Sequence, residues 1–109
     1  MACDAALAAR LRARLAPRPG VSERRMFGGV AFLLNGNMCV GVHKDHMVAR
    51  VGEPTATARL NPPRVRPMDI TGRPMKGWLL IDGAGVEDDG ELADWVETAV
   101  VFVGTLPVK

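Results

Sequence analysis

Apolar residues recur along this chain with two different periods. Between residues 4 and 16, Leu7, Leu11 and Leu15 return every fourth position with alanines between them, which predicts an amphipathic helix. Asp4 suits its N-cap, and Pro17, Pro19 and Gly20 stop it. From Val21 to Val51 the period shortens to that of strands. Val30, Phe32 and Leu34 alternate with Ala31 and Leu33, and Met38, Val40 and Val42 follow. Asn35-Gly36-Asn37 between these runs is a hairpin signal, because Asn-Gly accepts the positive φ angles of a type I′ turn. A second reversal near Lys44-Asp45-His46 leads into Met47–Val51, and a first strand is expected over Val21–Phe27. Glu53–Leu60 is a short helix candidate, with Pro54 at its start and Pro62-Pro63 forbidding continuation. Residues 61–67 read as a stiff connector. Met68–Ile70 and Lys76–Ile81 read as a hairpin around Thr71-Gly72-Arg73-Pro74.

The helical period returns over residues 88–104. Leu92, Trp95, Val96, Ala99, Val100, Phe102 and Val103 form a wide apolar face, and Asp88 and Glu91 have capping-box spacing. Gly104 and Pro107 end this helix. The predicted order is α-β-β-β-β-α-β-β-α. It implies an α+β domain: an antiparallel β-sheet of about five to six strands with helices packed on one face. Leu33, Val48, Leu79 and Ile81 are the expected apolar residues of the second face. A bare apolar face invites a partner, so a homodimer or a bound helix is expected.

The chain has 109 residues and 48% hydrophobic content, which suits one domain spanning 1–109 with a real core. No apolar run is long enough to span a membrane, and Arg10, Arg12 and Arg14 interrupt any leader-like segment. Cys3 and Cys39 make no disulfide framework, and together with the leader reading they point to the cytoplasm. The net charge of +2 conceals an asymmetry. Residues 1–81 carry 13 Lys/Arg against 5 Asp/Glu, whereas residues 82–109 carry 1 against 7. Either the two parts neutralise each other, or a basic face meets an acidic partner or nucleic acid.

The raw material for catalysis is sparse. Ser22 is the single serine and no Gly-x-Ser-x-Gly is present. Cys39 and His43 sit four apart on one strand, about 13 Å by strand rise, beyond hydrogen-bond reach. His43, Asp45 and His46 could contact a metal at a hairpin tip, but Lys44 disfavours a cation and no further ligand is near. Asp82-Gly83-Ala84-Gly85 has too many carboxylates around it to cradle a phosphate. Asp88 and Asp89 read as caps, and the methionines as adaptable core filler. No catalytic residue, cofactor or metal is assigned. Arg24 and Arg25 could contact phosphates, and Trp78 beside Lys76 is the one aromatic–basic pairing of interest.

Arg24-Arg25-Met26-Phe27-Gly28-Gly29-Val30-Ala31-Phe32, followed by Asn35-Gly36-Asn37-Met38, resembles the signature of the TfoX/Sxy N-terminal domain family. His46–Val51, Arg73–Trp78, Leu92–Val96 and Thr105–Lys109 look like its later segments, so the resemblance covers about residues 5–109. It implies an α+β sheet domain without established catalytic residues. The family's named members regulate natural competence, cooperating with the cAMP receptor protein at promoters. They look two-domain, so a stand-alone small member is expected here. Met26, Phe27, Gly28, Gly29, Gly36 and Trp95 are the structural motif residues, with Gly28-Gly29 letting the chain bend or bulge.

The expected function is therefore a non-enzymatic regulatory or protein-interaction module with a protein partner or homodimer. The candidate interaction surface is Arg24, Arg25, Arg50, Arg64, Arg66, Lys76 and Trp78. Weak nucleic-acid binding through those basic residues is the alternative. A small-molecule or enzymatic pocket near Cys39 and Trp78 is the third reading.

Overall fold

Asn35 and Gly36 form the tight turn their identities ask for. Both have positive φ, 54° and 85°, in the computed structural model of the chain, which describes residues 4–26, 29–69 and 75–109. A side chain on Gly36 would also collide with Lys109. This turn joins β2 (Gly29–Leu34) to β3 (Asn37–His43). On one side of the pair lies β1 (Val21–Met26), and on the other β4 (His46–Arg50). The remaining elements are α1 (Ala5–Leu15), α2 (Glu53–Arg59), β5 (Val65–Pro67), β6 (Trp78–Ile81) and α3 (Asp89–Val103). A 3₁₀ turn, Gly83–Val86, precedes α3.

The architecture is α+β, in the element order predicted. The sheet is antiparallel with six strands in the order β1-β2-β3-β4-β6-β5. All three helices contribute to one core on one face. Leu7, Leu11 and Leu15 of α1, Ala56 of α2, and Leu92, Trp95, Val96 and Val103 of α3 cover Phe32, Val40, Met47, Leu79 and Ile81. Caps fix the two long helices where expected. Leu7 N donates to Asp4 Oδ1 at 3.0 Å, and Glu91 N donates to Asp88 Oδ2 at 3.0 Å. Gly104 ends α3 in a right-handed conformation, so no left-handed cap is used there.

The fifth strand differs from expectation. It is Val65–Pro67, inside the segment read as a connector, and Met68 and Asp69 lie beyond its end. Val65 pairs with Ile81 and Pro67 with Leu79. An edge strand tolerates proline, since one side of it owes no hydrogen bond to a ladder. The reversal at 70–74 lies outside the described residues.

The second face is also different. Paired residues share a face, so Leu79, opposite Ala49, and Ile81, opposite Met47, both belong to the helix side. Leu80, opposite Val48, belongs to the other side. That face is not bare: Val48, Leu80 and Met68 are buried, with Met38, Met75 and Trp78 packed against them. A strand alternates faces, so only one register of β6 is compatible with the pairing to β4, and hydrophobicity alone could not select it.

Gly29 is required for a different reason than the expected bend. A Cβ placed there would sit 1.9 Å from the Val42 carbonyl oxygen, so close strand approach demands glycine. Met26 ends β1 opposite Gly29, while Phe27 and Gly28 lie outside the described residues.

Candidate interaction site

Strand register sorts the candidate residues. Arg24, Ala31, Gly41, Val48, Leu80 and Arg66 form one row across all six strands on the helix-free face. At about 4.8 Å per strand, Arg24 and Arg66 stand roughly 24 Å apart. Arg50 and Trp78, paired across β4 and β6, share this face. The Arg50 guanidinium lies 5.1 Å from the Trp78 ring centroid, in cation–π contact.

The other three residues go elsewhere. Arg25 pairs with Val30 and so projects to the helix side of the sheet's edge. Arg64 lies in the turn between α2 and β5. It lines a cleft of about 580 Å³ with Arg59, Asp88, Glu91 and Trp95. Lys76 lies in the turn before β6. The seven candidates therefore do not form one basic face.

Lys76 does meet Trp78 at a groove, with Arg50 stacked on the Trp78 ring outside its lining. The groove has a volume of about 160 Å³ and lies between α2 and the start of β6. Ala56, Leu60, Pro67, Met75, Trp78 and Leu79 supply its apolar wall, with Lys76 and Glu53 at its rim. Backbone bonds hold it open. Val51 N and Gly52 N both donate to the Gly77 carbonyl, at 2.9 and 3.0 Å, and so tie the start of α2 to the start of β6. Trp78 N donates to the Met75 carbonyl at 3.1 Å, and Met75 N to the Met68 carbonyl at 2.8 Å. The one signal for Leu60 was its position as the last apolar residue before Asn61-Pro62-Pro63, where no further helix can cover it. It is 42% exposed.

Charge is distributed unequally around the sheet. On the helix side Arg10 pairs with Asp89, Arg12 with Glu23, Arg18 with Glu97, and Arg59 with Asp94. Arg12 hydrogen-bonds the Glu23 carboxylate and holds its pKa below the usual value. Arg59 also stacks on Trp95, 4.0 Å from the ring centroid, and donates to Thr98 Oγ1. Among the described residues, Arg24, Arg50, Arg66 and Lys76 make no ion pair with a carboxylate.

The chemical alternatives acquire definite geometry. The β2–β3 register shifts between Phe32 and Leu33, whose partners are Val40 and Met38. This bulge turns Cys39 into the helix-side core, whereas His43, opposite His46, projects from the other face. The pair therefore does not meet. Burial pushes the Cys39 thiol up to about 12, which suits an inert core residue.

At the hairpin tip, Arg66 Nη2 lies 3.2 Å from His46 Nε2, and Asp45 Oδ1 lies 2.8 Å from His46 Nδ1. A guanidinium only donates, so Nε2 accepts and Nδ1–H faces Asp45. Both ring nitrogens are thus engaged. No cluster of three metal-ligating side chains occurs among the described residues. In the acidic turn, Asp82 Oδ1 itself accepts from Ala84 N at 3.2 Å, taking the donor that a phosphate would need. No helix among the described residues is long and apolar enough to cross a membrane.

A family model described as the TfoX N-terminal domain matches residues 13–103. No curated protein and no solved structure matches the chain.

Proposed function

Starting from the fact that this chain belongs to the TfoX N-terminal domain family, a regulatory-type domain, we propose that it acts as a non-enzymatic module that docks another protein. The docking surface is the helix-free side of the sheet around Trp78. One observation carries the reading. Four helix-side arginines neutralise α3 and β1 carboxylates, while Arg50, stacked on Trp78, Arg66 on the same face and Lys76 two residues before Trp78 have no carboxylate partner among the described residues. Unpaired cations next to a half-buried tryptophan suit an acidic protein surface: tryptophan and arginine are enriched where binding energy concentrates.

The competing reading is direct nucleic-acid binding. It is weakened by the dispersal of Arg25 and Arg64 away from Arg24, Arg50 and Arg66. The proposed module spans residues 1–109.

The test is affinity capture with the purified chain, an Arg50→Glu/Arg66→Glu variant and an Arg14→Glu control on the helix side. The reading requires one protein retained stoichiometrically by wild type and control and lost from the double variant, with nuclease treatment making no difference. Equal retention by all three chains refutes it. Loss on nuclease treatment moves the assignment to nucleic acid.

A further inference from the structure

We propose that the cleft between the α2–β5 turn and the first turn of α3 binds a free basic α-amino acid: one carboxylate and two cationic groups on an apolar stem. This site lies on the helix side, apart from the docking surface described above, and goes beyond that reading.

Size and lining come first. At about 580 Å³ the cleft falls within the roughly 300–1,000 Å³ typical of pockets for small ligands. The buried Val65, Ile81 and Trp95 supply its apolar part, and charged side chains supply the rest. That mixture suits a short molecule with a hydrocarbon stem and charged ends.

Charge selects the occupant. Arg59 is neutralised by Asp94 and stacked on Trp95, so it offers no free cation. Arg64 differs, because its guanidinium has no hydrogen-bond or ion-pair partner among the described residues. Asp88 and Glu91 line the same cleft from α3, and neither forms an ion pair with Arg64. The Glu91 carboxylate is unpartnered among the described residues, and Asp88 commits only Oδ2, to the Glu91 amide. One open guanidinium and two open carboxylates therefore share one space. A ligand with one anion and two cations answers all three, with its carboxylate at Arg64 and its cations at Glu91 and Asp88. A neutral amino acid leaves one carboxylate unmatched, and an acidic one is repelled by both.

The cationic side of the cleft is set in advance. Arg64 N donates to the Asn61 carbonyl at 3.0 Å, and the Arg64 carbonyl accepts from Asp82 N at 2.8 Å. The Arg64 stem lies against Gly85, where a Cβ would come within 3.3 Å of Arg64 Cγ and 3.2 Å of Ile81 Cγ2. The missing side chain at Gly85 thus seats the arginine stem, so less ordering accompanies capture of a carboxylate. Asn61 lines the cleft with Arg64 and carries a second donor for the same group.

The test titrates the purified chain with L-arginine, L-lysine, L-leucine and agmatine, followed by calorimetry and amide NMR. L-Leucine lacks the second cation, and agmatine lacks the carboxylate. L-Arginine or L-lysine is expected to shift the amides of residues 61–65, 84–85 and 88–91 saturably. The tighter of the two should bind at least about tenfold more strongly than L-leucine and agmatine, which corresponds to ~1.4 kcal/mol. Arg64→Met should lower that affinity to the level of agmatine, and Glu91→Gln to the level of L-leucine. Both residues are exposed, the Asp88 cap is untouched, and an unchanged spread of the core amides checks that each variant folds. Equal binding of all four compounds, shifts confined to another surface, absence of saturable binding at millimolar concentration, or full affinity in Arg64→Met overturns the site. Capture through the helix-free face uses none of these residues, so the docking reading stands or falls separately.

Discussion

The helix-covered face buries Leu11, Phe32, Met47 and Trp95 beneath three helices, whereas the opposite face buries Val48, Leu80 and Met68 beneath Met38, Met75 and Trp78. Both faces are apolar at their centres, but they are closed by different means. The first uses whole amphipathic elements, and their polar sides carry arginines and carboxylates that meet one another. The second uses long side chains of the sheet itself and of the β5–β6 connection, so no helical surface intervenes between its cations and a partner. Exposed ion pairs contribute only about 0–1 kcal/mol each. Their larger consequence here is that four helix-side arginines are neutralised, whereas Arg14, Arg25 and Arg64 on that side make no ion pair among the described residues. The contrast separates a scaffold face from a recognition face without invoking any catalytic group.

The comparison can be broken first at its largest expected effect. Trp95 is 4% exposed and packs in the main core, so Trp95→Ala should cost about 3–5 kcal/mol by urea melt. A loss below about 1 kcal/mol would show that α3 does not clamp the sheet. Leu80 tests the smaller core. It is 5% exposed, and Leu80→Ala should cost about 2–4 kcal/mol. A near-neutral result would mean that the methionine side is an open surface and the two faces differ more than described.

Cys39 sharpens the comparison chemically, because its bulge places it in the helix-side core. Its folded pKa of about 12 lies above the ordinary value of 9.0, so the neutral thiol is favoured by folding. That contribution is present below the unfolded value and is lost as pH rises from 9.0 towards about 12. At pH ~8 the Cys39 peptide should resist iodoacetamide in the native protein and react promptly in urea. Rapid native labelling would take Cys39 out of the core.

The smallest effect is expected at Arg12–Glu23. Its carboxylate has a depressed pKa, so the stabilisation exists above the ordinary value of 4.5 and disappears as pH falls through the folded value. Both partners are well exposed, and Glu23→Gln should cost under about 1 kcal/mol at pH 7. A loss of several kcal/mol in a thermal melt would show that helix-side pairing is a stability device and not mainly charge neutralisation.

Much of the fold was legible because its signals are local. The Leu7–Leu11–Leu15 stripe, the Asp4 and Asp88 caps and the Asn35-Gly36 turn each depend on a few neighbouring residues. The fifth strand was hidden because Val65-Arg66-Pro67 is too short for a period to emerge, and its partner Ile81 lies across the 70–74 reversal. The groove was legible only in fragments. Trp78 and Lys76 stood out individually, but Leu60 and Pro67 gained significance only once α2 packed beside β6. The Cys39 bulge left no mark in the alternation of Met38, Val40 and Val42.

Local sequence, then, determined the helices, the turns, the order of elements and the family signature, since backbone preference and amphipathic period act over a few residues at a time. Tertiary structure alone decided which face Leu79, Leu80 and Cys39 occupy, which arginines are neutralised, and that Leu60 and Trp78 wall one groove. Those outcomes depend on strand register and on the packing of segments far apart in the chain, and a one-residue slip would reverse every side chain in a strand.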